Sequence, residues 1–369
     1  MRKTFLTLTL AILLPLFFAC STTQTITIGY VGGLTGVGSE LSQSGMYGAL
    51  LAVDQINAEG GILGKKLILS IKDDKSDPQT ALSVDQEFLR EGTSIIVGHM
   101  ISGVATSVLP YLNDEHVLLI SPTIAADQWS GIDDNFIRLI PSNRNQADLI
   151  AKSVLDVGIY RLAIIHSIAN TAFSSAIIER ITADLTHDGG QIMETIEYDP
   201  ANVDYRNIAN QLKEASVEGV VIVSSADECA DFAQNFKLVD YKPAMFLPAW
   251  AMTNDLINLG GNSVEGVYGV NYIRDDSRIS DYSTFVKKYE EKYGLKPTFA
   301  SVLSYEAVRI VADAITTTLS ADPQVVKREI LRKSTYTLIN GTFMFDSYGD
   351  VIRPIYKIRI TSGKFETTP

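Results

Sequence analysis

Apolar positions follow two alternating rhythms along the chain. Short runs such as TITIGYV (residues 25–31), KKLILSIKDD (65–74), SIIVGHM (94–100) and HVLLISP (116–122) have the apolar and β-branched content of buried strands. Between them the period changes to that of a helix. Over 42–58, Ala49, Leu50, Ala52, Val53 and Ile56 share one stripe, and Gly60-Gly61 stops it. Asp77-Pro78 has the chemistry of an N-cap followed by a first helical residue, and predicts a helix to about Glu91. Another helix is expected from Ser102. The alternation continues through RLAIIHS, QIMETIEY, GVVIVSS and AMFLPAW. Short strands separated by helices predict parallel sheets covered by helices on both faces.

The rhythm breaks twice. FIRLIPSNRNQ (136–146) runs from a strand into Pro141 and a polar stretch before a new βα series begins. After VYGVNYI (267–273) come three helical stretches, roughly 279–293, 300–319 and 323–333, and then two short strands, GTFMFD and PIYKIRI. This order fits two α/β units, each assembled from separate segments, better than two units in series.

The N-terminus stands apart. Arg2 and Lys3 precede an apolar run from Thr4 to Ala19 that contains Pro15 and is shorter than the ~20 residues of a membrane span. A charged start, an apolar stretch and a small residue describe a secretory signal over 1–19. Cys20 follows directly in LLPLFFACSTTQT, so the segment resembles a bacterial lipoprotein signal. Cys20 is the expected lipidation site and 20–24 a polar tether. The alternatives are an ordinary signal cut nearby or an uncleaved anchor.

Charge and chemistry narrow the function. Without residues 1–19 the chain carries 29 Lys and Arg against 43 Asp and Glu, a net charge of −14. That argues against nucleic acid and against a polybasic grip on anionic lipid. With 46% hydrophobic and 20% charged residues the composition is that of a soluble globular chain, long enough for two cores. Cys229 is the one thiol besides Cys20, so no internal disulfide is expected in the processed protein. GGLTGVG lacks both the phosphate-loop ending and the dinucleotide spacing. In DDKSDP, Asp73, Asp74 and Asp77 fail the calcium-loop pattern because position twelve is Val84; a solvated strand end and a helix cap are expected. The histidines 99, 116, 166 and 187 have no metal-site spacing; His99 and His166 are expected at a sheet edge or cleft with hydrogen-bonded rings. No nucleophile, base and orienter assemble, so neither an enzyme nor a bound cofactor or metal is expected.

Several stretches together carry a resemblance: GGLTGVGSELSQSGMYGALLAVDQINAEGGILGKKLIL, DDKSDPQTA, IIVGHMISGVATSVLPYLNDEHVLLISP and GTFMFDSYGDVIRPIYKI. From about Thr25 to the C-terminus the chain resembles the leucine/isoleucine/valine-binding type of extracellular solute receptor of bacterial ABC importers. The resemblance implies a type I periplasmic binding protein fold: two lobes, each a mostly parallel sheet between helices, joined by three hinge crossovers. Lobe one would comprise 25–141 plus 274–338, and lobe two 142–273 plus 339–369. It implies a monomer that captures a small carboxylate-bearing molecule by lobe closure and docks on permease and ATPase subunits, with its lipid in a membrane. A sensor presenting the ligand to a signalling partner is the alternative.

The resemblance also nominates site residues. Ser102 and Gly103 start a helix whose free N–H groups suit a carboxylate. Thr123, Ile124 and Ala125 complete that side, and Phe173 matches an aromatic covering the ligand from lobe two. The departures are specific. The family's Thr that holds carboxylate and ammonium falls at Ala125. Its lobe-two acid falls at Ala249 or Trp250. Its first-loop Tyr falls at Leu41. Asp227 and Glu228 either supply the missing charge or cap the following helix. The expected pocket keeps an anion grip, loses an amine grip and gains apolar surface, favouring an apolar or aromatic carboxylate over an α-amino acid.

Overall fold

The structure is a computed structural model and describes residues 25–36, 38–274 and 280–368. The expectations for 1–19, Cys20 and the 20–24 tether lie outside these residues.

The first sheet contains β1 (Thr25–Gly32), β2 (Lys66–Asp73), β3 (Ile95–Val97), β4 (Leu118–Ser121) and β5 (Phe136–Arg138). They run parallel in the order β2-β1-β3-β4-β5. The helices α1 (Ser39–Ala58), α2 (Pro78–Arg90) and α3 (Ser102–Asp114) alternate with the strands. Asp77 caps α2, its carboxylate accepting the Thr80 N–H at 2.8 Å.

The second sheet has the order β15 (Lys364–Thr368), β14 (Tyr356–Thr361), β10, β9, β8, β6, β7. It is built from β6 (Arg161–Ser167), β7 (Gln191–Tyr198), β8 (Gly219–Val223), β9 (Ala244–Leu247) and β10 (Tyr268–Asn271), in register with the helices α4 (Asn143–Asp156), α5 (Thr171–His187), α6 (Tyr205–Glu214), α7 (Ala226–Leu238) and α8 (Asn254–Gly260). Three helices then return to the first lobe: α9 (Ser280–Tyr293), α10 (Phe299–Thr318) and α11 (Pro323–Lys333). Helix α10 lies so close to α1 that a Cβ on Gly48 would sit 2.0 Å from the Ser301 carbonyl oxygen. Only glycine permits this approach.

The strands β11 (Thr335–Leu338), β12 (Gly341–Phe345) and β13 (Val351–Ile352) form a small antiparallel sheet, and β14 (Tyr356–Thr361) and β15 (Lys364–Thr368) extend the second sheet antiparallel to β10. The lobe boundary expected at 338/339 is corrected here. It falls in the β11–β12 hairpin, whose register pairs Leu338 with Gly341. The small sheet is held to the first lobe: Asp350 pairs with Arg138 at 2.7 Å and the Arg138 N–H donates to the Gly349 carbonyl. The chain changes lobe after this sheet, at 353–355, instead of before it.

Hydrogen bonds tie the third crossing to the first, and the second to the β11–β12 hairpin. At the third, Arg353 donates to the Leu139 carbonyl of the first at 3.0 Å and pairs with buried Glu306 of α10 at 2.9 Å. At the second, the Arg274 N–H donates to Asn340 Oδ1, and Asn340 Nδ2 donates to the Arg274 carbonyl. One hydrophobic cluster runs continuously from the first sheet (Ile28, Tyr30) through Leu41, Phe173, Trp250 and Phe299 to the second sheet (Leu162, Val221). The lobes are therefore in contact, with apolar side chains where they meet.

Candidate functional site

The carboxyl ends of both sheets face the same gap, where open parallel sheets place their ligands. After β3 the chain turns at Gly98, whose φ of +141 and approach to Val31 exclude a side chain. His99 follows, fully buried. Its Nδ1 lies 2.7 Å from Asp74 and its Nε2 3.1 Å from Asp85. Burial alone would lower its pKa, but the carboxylates of Asp85 and Asp74 outweigh it and raise the ring to about 10. The His99 carbonyl accepts the Ser121 hydroxyl at 2.8 Å, and Ser121 Oγ in turn accepts the Ile124 N–H at 3.0 Å. An imidazolium between two buried carboxylates thus holds both loops of the first lobe from beneath. His99 sits under the cleft and not in it, and Asp74 is its partner, not a solvated strand end. Asp73 also departs from that expectation: it accepts the Leu34 N–H at 2.8 Å and the Thr35 hydroxyl, fixing the first loop. His166 departs as well. Burial lowers its pKa, and its Nδ1 has no hydrogen-bond partner among the described residues.

The cleft is lined by Leu41, Met100, Ile101, Ser102, Thr123 and Phe299 from the first lobe, by Asn170, Phe173 and Trp250 from the second, and by Ile140 and Tyr272 at the crossings. Its cavity volume is about 20 Å³, room for about one water. No Asp, Glu, His, Lys or Arg lines it among the described residues. Ser102 is buried, and its Oγ accepts the Ala125 N–H at 3.2 Å, which leaves the hydroxyl proton to donate. The Thr123 hydroxyl donates to the Met100 carbonyl at 2.6 Å, so it faces the cleft as an acceptor. The Gly103 N–H, at the start of α3, donates across the gap to Asn170 Oδ1 at 3.0 Å.

Phe173 and Trp250 meet edge to face, centroids 5.5 Å apart. Their backbones are held from α4. Asn143 Nδ2 donates to the Phe173 carbonyl at 2.8 Å, Gln146 Nε2 donates to Asn143 Oδ1, and Gln146 Oε1 accepts the Ala249 N–H at 3.2 Å. The Asn143 N–H also donates to the Ala125 carbonyl, tying this frame to the first lobe.

Among the expected site residues, Leu41, Ser102, Thr123, Phe173 and Trp250 converge on the cleft. Gly103 reaches it through its N–H. Ile124 and Ala125 do not line it: both are fully buried, and their N–H groups are committed to Ser121 and Ser102. Asp227 does not line it either. It is exposed in the first turn of α7 and accepts the Ser225 hydroxyl, while Glu228 closes a capping box with Ser225. Asn170 and Tyr272 were not foreseen. The Tyr272 hydroxyl is buried beside Gln146, its pKa raised by burial, and makes no hydrogen bond of normal length among the described residues. Asn170 had one sequence signal, its place in the loop just after a strand, three residues before Phe173. Among the described residues no group of His, Cys, Asp and Glu is arranged to hold a metal, and no helix is long and apolar enough to cross a membrane.

Comparison with known proteins follows this geometry. The chain is 26% identical to a Leu/Ile/Val-binding protein homologue of Brucella suis, over 96% of this chain and 95% of that one. It is 24% identical to the leucine-, isoleucine-, valine-, threonine- and alanine-binding protein of Pseudomonas aeruginosa, over 89% of this chain and 87% of that one. Its fold is similar to that of a branched-chain amino acid transporter substrate-binding protein of Streptococcus pneumoniae in complex with isoleucine, with a TM-score of 0.86, 20% identity, and 94% of this chain and 99% of that one covered. It is also similar to a solute-binding protein of R. palustris in complex with benzoate, with a TM-score of 0.84, 15% identity, and 93% and 95% covered. The family described as periplasmic binding protein matches residues 25–364, essentially all of the chain after its N-terminal apolar segment. With both lobes, the crossings and the interlobe cleft accounted for by that match, the chain belongs to the periplasmic binding protein family.

Proposed function

We propose that this protein is the ligand-capturing component of an ABC importer of the branched-chain amino acid type, and that its ligand is a small monocarboxylate with an apolar or aromatic body. The observation that carries this reading is the lining of the cleft: the start of α3 and the Ser102 hydroxyl on one side, Phe173 and Trp250 on the other, and no acid among the described lining residues. An α-ammonium group enclosed there would lose its hydration without gaining a carboxylate, at a cost of several kcal/mol. A carboxylate gains the helix terminus and the Ser102 hydroxyl, with the buried Tyr272 hydroxyl as a further donor. Relatives bind ligands on both sides of this distinction, isoleucine in one similar structure and benzoate in another. Docking on permease and ATPase subunits, and anchoring through an acylated Cys20, complete the proposal; family membership and the apolar run ending in Ala19-Cys20 support them.

A thermal-shift panel tests the ligand class. A ligand at 100 times its dissociation constant stabilises the bound state by about 2.7 kcal/mol, enough to raise the melting temperature by a few degrees. Benzoate, hydrocinnamate and branched short-chain carboxylates should shift it. A panel in which only leucine, isoleucine and valine do so contradicts the reading.

A further inference from the structure

Thr25 opens β1 and stands in register with Lys66, the first residue of β2. The segment that carries Cys20 therefore enters the molecule beside the turn that leads into β2. That turn is tight: Ile62 and Lys65 exchange backbone hydrogen bonds of 2.9 Å, and Leu63 at its tip is 44% exposed. The corner between α10 and α11 lies at the same end of the first lobe. Gln324, in the first turn of α11, donates to the His116 carbonyl just before β4 and to Asn135 Oδ1 just before β5. Leu319, at the end of α10 in this corner, is 73% exposed. Both leucines thus lie at the amino ends of the first sheet, away from the cleft at its carboxyl ends.

Single exposed leucines are ordinary on any surface. The backbone sets these two apart. Nine described residues other than glycine have a positive φ, and seven of them are polar. The other two are Leu63, at +53°, and Leu319, at +56°. A left-handed backbone strains a leucine, and glycine or asparagine relieves that strain. An exposed leucine there gains no burial within the chain to offset it. Both such positions are at the end where the Cys20 segment enters. Charge at this end does not oppose contact with lipid. Glu59 pairs with Arg309, Glu91 with Lys72 and Asp133 with Lys327, while Asp114 and Glu115 are offset by Lys65 and Lys66, none of these four forming an ion pair among the described residues.

We infer that this end of the first lobe rests on the membrane surface, with Leu63 and Leu319 in the headgroup layer. The inference rests on the acylation of Cys20 proposed above. Residues 20–24 separate that anchor from Thr25, and five residues reach at most about 17 Å, so the lipid keeps this end of the lobe close to the bilayer. An apolar side chain that enters the interface recovers the burial it lacks within the chain. The first lobe then stands on its amino end, and the cleft and second lobe face away from the surface.

Quenching by phosphatidylcholine brominated on its acyl chains tests the contact. The acylated protein is reconstituted in vesicles as Leu63→Trp, Leu319→Trp and, for comparison, Leu238→Trp; Leu238 is 71% exposed at the end of α7, at the amino end of the second sheet. The parent, with Trp129 and Trp250, supplies the baseline. Tryptophans added at 63 and 319 should lose most of their emission in brominated vesicles and shift to the blue, and the one at 238 should do neither. Melting temperatures report that each variant is folded. Hydrogen exchange of the unsubstituted protein reads the same contact: anchoring to vesicles should slow the amides of 61–66 and 319–322 and leave those of 239–242 unchanged. Intact mass reads the acylation by itself. If Cys20 is unmodified, coupling its thiol to a maleimide phospholipid supplies the same tether, with fully buried Cys229 left unreacted, so failure of the anchor and failure of the contact are told apart. Emission unchanged at both leucine positions, equal quenching at all three, or exchange that anchoring leaves unaltered at both loops would overturn the inference.

Discussion

Asn170 Oδ1 accepts the Gly103 N–H across the interlobe gap at 3.0 Å. The second lobe thereby occupies one of the free N–H groups at the start of α3, the feature that makes this corner suitable for an anion. An amide oxygen carries only a partial charge, so it closes the gap without filling the anion site.

A full charge at that position would act differently. Asn170→Asp places a fixed carboxylate at the helix terminus, where it competes with a ligand carboxylate and repels it. Monocarboxylate affinity should fall by about tenfold or more, while the unliganded variant melts no lower than the parent. Calorimetry beside a melting curve reads both. Unchanged affinity would show that the ligand anion lies elsewhere.

Two cleft side chains should divide the binding energy by chemistry. Ser102→Ala removes a donor to a charged group and the acceptor of the Ala125 N–H, and should cost about 1–3 kcal/mol of affinity for every carboxylate tested. Trp250→Ala removes aromatic burial and the edge-to-face contact with Phe173, and should cost about 2 kcal/mol, more for aromatic than for aliphatic ligands. A ligand series compared by calorimetry would show the uniform loss for the first and the graded loss for the second.

His99 links stability to pH. Its pKa is raised from 6.5 to about 10 in the folded chain, so its contribution is fully present below about 6.5 and is lost as pH rises through about 10. Urea unfolding should show stability falling across that window. His99→Gln leaves Asp74 and Asp85 buried without their cation, which should cost about 3–5 kcal/mol at neutral pH and flatten the pH dependence. A parent protein equally stable at both ends of the window would contradict this account of the ring.

Acylation at Cys20 makes a simple prediction about mass. Membrane-extracted protein should begin at Cys20 with a diacylglyceryl group, and Cys20→Ala should release the chain in unmodified form. Intact-mass spectrometry of both distinguishes this from a signal peptide cut at another position.

Much of the fold was legible because it rests on local rules. A helix was expected from about Ser102 after the apolar run SIIVGHM, and the structure begins α3 at that residue. The β11–β12 hairpin was missed because its two turn residues are Ile339-Asn340, not the Asn-Gly pair that marks such turns, and Gly341 already pairs with Leu338. The nominated residues that reach the cleft do so with a side chain, apart from Gly103, which offers its N–H. Leu41, Phe173 and Trp250 are among them, and it was the resemblance, position by position, that nominated them. Ala125 failed because its N–H is taken by Ser102, a tertiary bond with no trace in the spacing. Asp227 failed because an acid in a helix's first turn serves the helix as readily as a ligand. Asn170 went unnoticed for the same kind of reason: a carboxamide in a loop has the signature of a turn, and its partner lies 67 residues away in sequence.

The claim that the cleft grips an anion and lacks a partner for an amine is tested most directly by matched pairs. Leucine and isocaproate share one carbon skeleton and differ only in the α-ammonium group; phenylalanine and hydrocinnamate do the same. Calorimetric dissociation constants for the four should rank each carboxylate at least about tenfold tighter than its amino acid. Leucine or phenylalanine binding more tightly than its deaminated partner would contradict the account.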